Sequence, residues 1–406
     1  MTGSPSTNDR ITAGARTVGR GYAFWLVGYA FAVAMLGTTL PTPLYPIYQQ
    51  RLGFSSLTVT LIFAVYAFAV IAGLLLFGRV SDEVGRRPTL LVALILSALS
   101  AVAFLGQGGL GPILVGRVLS GLSAGVIVGS ATAAMVDLAR PERRSRATAV
   151  AVAVNLGGLG LGALIAGALA QYAPAPLRVP FVVDLVLLGP AALGVLASPE
   201  TVRSGSRPRL RPQRLGVPSE VRGVFVRAAT VGFCAFAVSG LFGAVAPIML
   251  ATLLDLPSHL LAGGIVFLLF LCSAGGQVGV GRMRDGLALP LGCAGLIVGV
   301  GSLAGAIASE SLALLLVSAV LVGLGQGAAL GGGLRTITAR APRLRRGEAA
   351  SAFFVVIYAG LAVPVIGVGI AASAVGLRAT GIAFSAIVAV VLLAVLASLL
   401  RRAGAQ

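Results

Sequence analysis

Residues 78–88 read Gly78-Arg79-Val80-Ser81-Asp82-Glu83-Val84-Gly85-Arg86-Arg87-Pro88, a short charged loop between two long apolar runs. Its opening positions return as Gly281-Arg282-Met283-Arg284-Asp285, 203 residues further on. Gly121-Leu122 returns as Gly323-Leu324, and the loop 141–146 as 342–347, at nearly the same spacing. Half of the 406 residues is 203, so the chain is built as two tandem halves. Parallel duplication of this kind is a recurrent plan of polytopic helical membrane proteins.

Outward from that loop, apolar runs fall at 22–47, 57–79, 88–107, 110–136, 146–172 and 178–198. They resume at 224–252, 259–281, 287–308, 310–337, 349–373 and 378–400. Each suits a membrane-crossing helix, which takes ~20 apolar residues. Composition agrees: 57% of residues are apolar and 10% charged, and mean hydropathy is +1.00. Soluble domains carry roughly 45–50% apolar and about 25% charged residues. A soluble fold and a disordered chain are both excluded. The expected class is an all-α integral membrane protein of twelve helices in two pseudo-symmetric six-helix bundles, residues 22–198 and 224–400. A tail (1–21), a basic Arg- and Pro-rich linker (199–223) and a short end (401–406) complete it. The first run is too long for a signal-peptide core of about 7–15 residues.

All 30 basic residues are arginine, and the net charge is +18. With both termini in the cytoplasm, 26 arginines fall in inner segments, and Arg51, Arg178 and Arg378 alone in outer loops. This positive-inside asymmetry accounts for the basic charge better than nucleic-acid binding does. It sets the expected location as the plasma membrane, multi-pass, with the lipid bilayer as surroundings. Cys234, Cys272 and Cys293 lie singly in apolar runs, and His259, the one histidine, is in a loop. No metal site and no cofactor is expected.

The loop 78–88 fits, at every fixed position, the signature G-x-x-x-D-x-x-G-R-[RK]. With that loop after the second of twelve duplicated spans, the chain resembles a transporter of the major facilitator superfamily over nearly its whole length. The resemblance implies alternating access by rocking of two bundles, a small-molecule substrate and a monomer. It also implies a cytoplasmic gate of Gly78, Asp82, Gly85, Arg86, Arg87 and Asp137. In it, Asp82, Arg86 and Asp137 form a charge network that holds the inner side closed when the outer side is open. Gly78 suits close helix packing and Gly85 a tight turn. The plainer reading is a solvated basic loop, and it weighs most for Arg87. The second copy continues Gly286-Leu287-Ala288 without the arginine pair, which implies an asymmetric gate.

Arg117 lies inside span four, and Leu114-x-x-Arg117-x-x-x-Gly121 resembles the superfamily motif whose arginine is associated with proton coupling. Snorkelling to the interface is the alternative. Asp184 is the one carboxylate well inside a span, at a depth similar to Arg117. An intramembrane acid is a functional candidate, and Arg117 is its expected partner in coupling; a structural or hydrated pair is the other reading. In span five, Gly158, Gly162 and Gly167 fit the glycine-rich motif of the superfamily's antiporter branch, but Ala149, Ala163 and Ala166 do not and its proline is missing. Close packing by small residues explains them equally. Pro364 at comparable depth in span eleven suggests a kink in the other half.

The superfamily plan lines the cavity with spans one, four, seven and ten and sets two, five, eight and eleven at the bundle interface. Candidate cavity residues are Tyr29, Tyr66, Ser123, Asn155, Gln326 and Tyr358. Asn155 and Tyr358 are 203 residues apart, a pseudo-symmetric polar pair. Each is equally able to make an interhelical hydrogen bond. Pro41, Pro43 and Pro46 end span one, where Tyr45 and Tyr48 suit the aromatic belt and the segment serves as an outer gate or a plain terminus.

The function expected is a secondary active transporter, proton-coupled and exporting a small apolar or cationic compound. Pro199-Glu200-Thr201 resembles the ending of the superfamily's drug exporters. Uptake or facilitated diffusion of a neutral metabolite such as a sugar is the alternative, and a transporter-like sensor a remote one. No H-E-x-x-H, G-x-S-x-G or nucleotide-binding loop is present, so an enzyme or an ATP-driven pump is not expected.

Overall fold

The computed structural model describes residues 18–403 apart from 79, 107, 203–214, 245, 253–254 and 285. Most of the expected N-terminal tail, the centre of the linker, Arg79 of the signature and Asp285 of its second copy lie outside the described residues.

Twelve helices are long and apolar enough to cross a membrane. In the first half they are Arg20–Leu52, Ser56–Glu83, Arg86–Leu105, Leu110–Leu138, Pro141–Tyr172 and Val179–Ala197. In the second they are Ser219–Ala244, His259–Arg282, Ala288–Ser309, Leu312–Arg340, Arg346–Val375 and Leu377–Arg401. Numbered in this order, they are spans 1 to 12. Helix is what hydrocarbon demands, because each backbone group must find its partner within its own segment. The start of span 1, the end of span 12, the described part of the loop 78–88 and most of the described arginines share one face of the protein, the basic face; Arg51, Arg178 and Arg378 mark the opposite face.

The duplication extends to the caps. Ser55 Oγ accepts from the Thr58 amide at 3.1 Å where span 2 begins. Ser258, 203 positions later, accepts from the Leu261 amide at 3.2 Å where span 8 begins. Each satisfies one of the donors a helix start leaves unpaired.

Spans 2 and 11, and spans 5 and 8, join the two bundles. Spans 3, 6, 9 and 12 lie at the periphery, each against helices of its own half. Glycine lets the joining helices approach backbone to backbone. A Cβ on Gly167 of span 5 would press on the His259 carbonyl and lie 3.3 Å from the Gly263 Cα of span 8. A Cβ on Gly158 would lie 3.0 Å from Met35 Cβ, and one on Gly162 would press on the Leu36 carbonyl; both therefore seat span 5 on span 1. Thr39 Oγ1 donates to the Leu159 carbonyl at the same crossing, 2.6 Å away. The helix of span 11 runs unbroken through Pro364.

Span 1 is interrupted. A helix over Arg20–Thr39 gives way to a tight turn at Thr42–Leu44, and a short helix resumes over Tyr45–Leu52. This differs from the expected aromatic belt: Tyr45 and Tyr48 are 0% and 2% exposed. Both rings lie in the protein core rather than at a lipid-facing surface. In the second half the helix Ala246–Thr252 packs against Tyr45–Leu52.

Candidate functional site: a central cavity and a charged loop

Between the bundles lies a cavity of about 280 Å3, walled by spans 1, 2, 4 and 5 of one half and 7, 8, 10 and 11 of the other. It extends from mid-span toward the basic face, where Thr132, Thr148, Gln277 and Leu334 line it. At the opposite face the halves touch. A Cβ on Gly369 would lie 3.0 Å from Thr60 Cβ, and His259 Nδ1 is 3.2 Å from the Pro43 carbonyl oxygen.

Four of the six expected cavity residues line it: Tyr66, Asn155, Gln326 and Tyr358. Gln326 Oε1 accepts from Ser239 Oγ at 2.9 Å. Tyr358 meets Phe236 edge to face, ring centroids 5.5 Å apart, in the favoured geometry for aromatic pairs. Asn155 Oδ1 is buried without a hydrogen-bond partner. Two expectations are corrected. Ser123 is buried outside the cavity, and its hydroxyl donates to the Ala93 carbonyl at 2.7 Å, tying span 4 to span 3. Tyr29 donates to the Leu187 carbonyl at 3.1 Å and bridges spans 1 and 6 instead. Both hydroxyls found backbone acceptors on neighbouring helices, the usual fate of a polar group in a bundle.

Arg117 is the one charged residue among the described residues lining the cavity, and no carboxylate lines it. It is 1% exposed. Nη1 donates to the Thr38 carbonyl at 2.8 Å, and Nη2 donates to the Tyr45 hydroxyl. The guanidinium carbon lies 5.4–5.9 Å from the ring centroids of Tyr45, Phe63 and Tyr66, within cation–π range. The break in span 1 explains this. Thr38 is in the last turn of the helix Arg20–Thr39, where carbonyls lack helical partners and the dipole favours a cation. Arg117 therefore caps span 1.

The expected pair of Arg117 with Asp184 is not formed. Asp184 is 2% exposed, has no ion-pair partner among the described residues, and its Oδ1 has no hydrogen bond. Its carboxylate sits over Gly37, where a Cβ would lie 2.8 Å from Asp184 Oδ2 and 3.2 Å from Ser97 Oγ. The two side chains thus meet adjacent residues of span 1, Arg117 at Thr38 and Asp184 at Gly37. Thr38 and Tyr45 supply the acceptors that a carboxylate was expected to supply.

At the basic face, Arg86 gathers the loop. Its Nη1 lies 2.5 Å from Asp82 Oδ1 and its Nε 3.2 Å from Asp137 Oδ2; Nη1 also donates to Ser81 Oγ at 2.7 Å. Glu200, just past span 6, accepts from the Arg86 and Arg87 amides at 2.9 and 3.0 Å. It thereby caps span 3 with a carboxylate, as the dipole favours. Gly85 has φ +118°, and a Cβ there would lie 2.6 Å from Glu200 Oε2, so glycine is required twice over. Gly78 terminates the helix of span 2. The Arg87 guanidinium is half-buried and has no hydrogen-bond or ion-pair partner among the described residues. These bonds all lie within the first bundle, although the cavity reaches toward this face. The network therefore ties together spans 2, 3, 4 and 6 of one half, and the bonds described do not cross to the other in this arrangement, where the cavity reaches toward the basic face. Arg86 folds back because Asp82 and Asp137 are within its reach.

Sequence reading did not anticipate Ser81, Thr38, Tyr45 or the capping role of Glu200. The three prolines after Leu40 were the available signal for Thr38, since a broken helix leaves bare carbonyls. Nothing local ties Glu200 to Arg86, 114 residues earlier.

The chain belongs to the Major Facilitator Superfamily, whose family model matches residues 27–304. Its twelve apolar helices have the fold of solved transporters of this kind. It is 30% identical over 174 residues to the MFS efflux transporter aclA of Aspergillus oryzae, covering 42% of this chain and 31% of that protein. It is 29% identical over 134 residues to the inner membrane transport protein YajR of Escherichia coli, 33% of this chain and 29% of that one. It is 26% identical over 162 residues to the quinolone resistance protein NorA of Staphylococcus aureus, 40% of this chain and 39% of that one. The matched stretch spans about a third of the length of these curated relatives. In fold it is similar to a bacterial homolog of the human lysosomal transporter Spinster, inward-facing and unoccupied. That match has a TM-score of 0.72 and 17% identity over 94% of this chain and 98% of the other. The human organic anion transporter MFSD10 (TETRAN) matches at 0.67 and 18%, over 93% of this chain and all of that one.

Proposed function

We propose that this transporter exports a small, largely apolar compound across the plasma membrane in exchange for protons. In this reading it works as a monomer, with the basic face and both termini in the cytoplasm and the bundles 22–198 and 224–400 rocking about the crossings of spans 2 and 11 and of spans 5 and 8. The cavity carries the substrate class: phenylalanines 63, 236, 242, 270 and 354 line it, and its polar groups are neutral except Arg117. Arg117 is already engaged by Thr38 and Tyr45. A cationic compound, the other class expected, would meet a guanidinium and no described carboxylate. Export agrees with the aclA and NorA relatives, described as an efflux transporter and a quinolone resistance protein.

Asp184 is the candidate proton site. Adding or removing its proton changes the field at Gly37, one residue from the carbonyl that holds Arg117 at the cavity wall. The test is dye-reported proton movement in inverted vesicles containing the full chain, challenged with neutral apolar compounds, lipophilic cations and sugars. An apolar compound is expected to collapse the gradient with the wild type and not with Asp184→Asn at equal protein level. Proton movement by Asp184→Asn equal to the wild type refutes the coupling site. Substrate flux without proton movement refutes antiport and leaves facilitated diffusion.

A further inference from the structure

On the basic face, away from the central cavity, spans 1 and 5 and the turn between spans 4 and 5 enclose a groove of about 850 Å3. Arg20, Arg140, Arg143 and Arg146 line it together with Phe24 and Trp25. None of the four guanidiniums has a hydrogen-bond or ion-pair partner among the described residues. Glu142, the carboxylate of the same turn, is not among the lining residues. Trp25 is 64% exposed in the second turn of a membrane-crossing helix, the depth at which indole rings sit among lipid headgroups.

Convergent arginines without counter-charges fit an acidic oxygen ligand. Guanidinium forks match phosphate bidentately, and basic pockets between membrane helices are suited to acidic headgroups. The floor at Leu138, Ala147 and Val150 is apolar, which suits an acyl chain and gives a free anion nothing. We propose that this groove is a binding site for one anionic phospholipid. The phosphate rests among Arg140, Arg143, Arg146 and Arg20, and the glycerol and chains run past Phe24 and Trp25 into the bilayer. The site is independent of the transported compound.

Trp25 is the chain's single tryptophan, so its fluorescence reports on this groove alone. The full protein in mixed micelles is titrated with brominated phosphatidylglycerol and, separately, brominated phosphatidylcholine, whose bromines quench indole on contact. Quenching is expected to favour phosphatidylglycerol by about tenfold, a preference that weakens as salt is raised. Arg140→Gln/Arg143→Gln/Arg146→Gln is expected to bring the ratio near one, while Arg282→Gln, on the same face outside the groove, keeps it. Equal quenching by the two lipids in the wild type overturns the proposal whether or not the triple variant folds. Complete displacement of phosphatidylglycerol by millimolar inorganic phosphate also overturns it, because the site would then take a free anion.

Discussion

Adding one methyl group at Gly167 of span 5 tests how the two halves meet. A Cβ there would press on the His259 carbonyl and lie 3.3 Å from Gly263 Cα, and these are backbone atoms that have no rotamer to yield. The contact lies at the opposite-face ends of spans 5 and 8, so in the proposed rocking about this crossing it closes only when that face closes. Overpacking of this kind costs about 1–3 kcal/mol, charged to that conformation alone. The helix-propensity gain of alanine over glycine, about 1 kcal/mol, applies to every conformation and keeps the variant folded. Gly167→Ala should therefore shift the equilibrium toward opening at the opposite face by about 5–150-fold. Gly263→Ala, whose Cβ would lie 3.2 Å from Leu164 Cα, should act alike. The assay is maleimide labelling in a Cys272→Ser background, with a reporter cysteine at Thr148 near the basic end of the cavity or at Thr42 near its opposite end. Cys234 and Cys293 are buried and silent. Labelling at position 42 should rise relative to position 148. A folded Gly167→Ala protein with an unchanged ratio would refute the claim that this contact closes the opposite face.

Three further outcomes are expected. Glu200→Gln weakens the charged cap on the Arg86 and Arg87 amides and should cost about 1 kcal/mol of stability; an unchanged melting temperature in detergent would show the cap to be idle. Arg117→Met leaves the Thr38 carbonyl bare at about 1–3 kcal/mol and should abolish transport. Arg117→Lys keeps the charge without the fork that reaches both Thr38 and Tyr45, and should restore stability only in part; full transport by the Met variant would end the assignment. Phe236→Ala removes a cavity wall and the edge contact to Tyr358, and should weaken apolar substrates by about tenfold in KM with little change for sugars. Flux assays in vesicles decide it.

The architecture was legible because membrane solvation leaves a helix little choice and duplication prints its own period. The loop at 78–88 and its copy located the halves, and the apolar runs located the spans. Asp82, Arg86 and Asp137 came together because their loop geometry is local to one bundle. The reading went astray where a side chain chose between a distant carboxylate and a nearby main-chain acceptor. Depth and charge match Arg117 to Asp184, yet the bare end of span 1 is available to it, and depth does not say which helix stands between two residues. Tyr29 and Ser123 differ from Tyr66 and Asn155 only in which way a uniformly apolar helix is rotated. In a span apolar all round, as these are, no amphipathic stripe marks the inward face.

The charged loop has a mechanical consequence. Arg86 and Glu200 fasten the bases of spans 2, 3, 4 and 6 to one another, so a push on any of these helices is delivered to the others. At the spacing of 203 the second half has Ala288-Leu289-Pro290 where the first has Gly85-Arg86-Arg87, so no arginine stands at the position of Arg86. The first bundle is then the stiffer lever; in the second, Arg335 Nη1 reaches the Val280 carbonyl at 3.5 Å and links spans 10 and 8, but no arginine gathers four spans as Arg86 and Glu200 do among the described residues. During a transport cycle, amide hydrogen exchange should be slow and uniform at the base of spans 2 to 4, and faster and uneven at the base of spans 8 to 10.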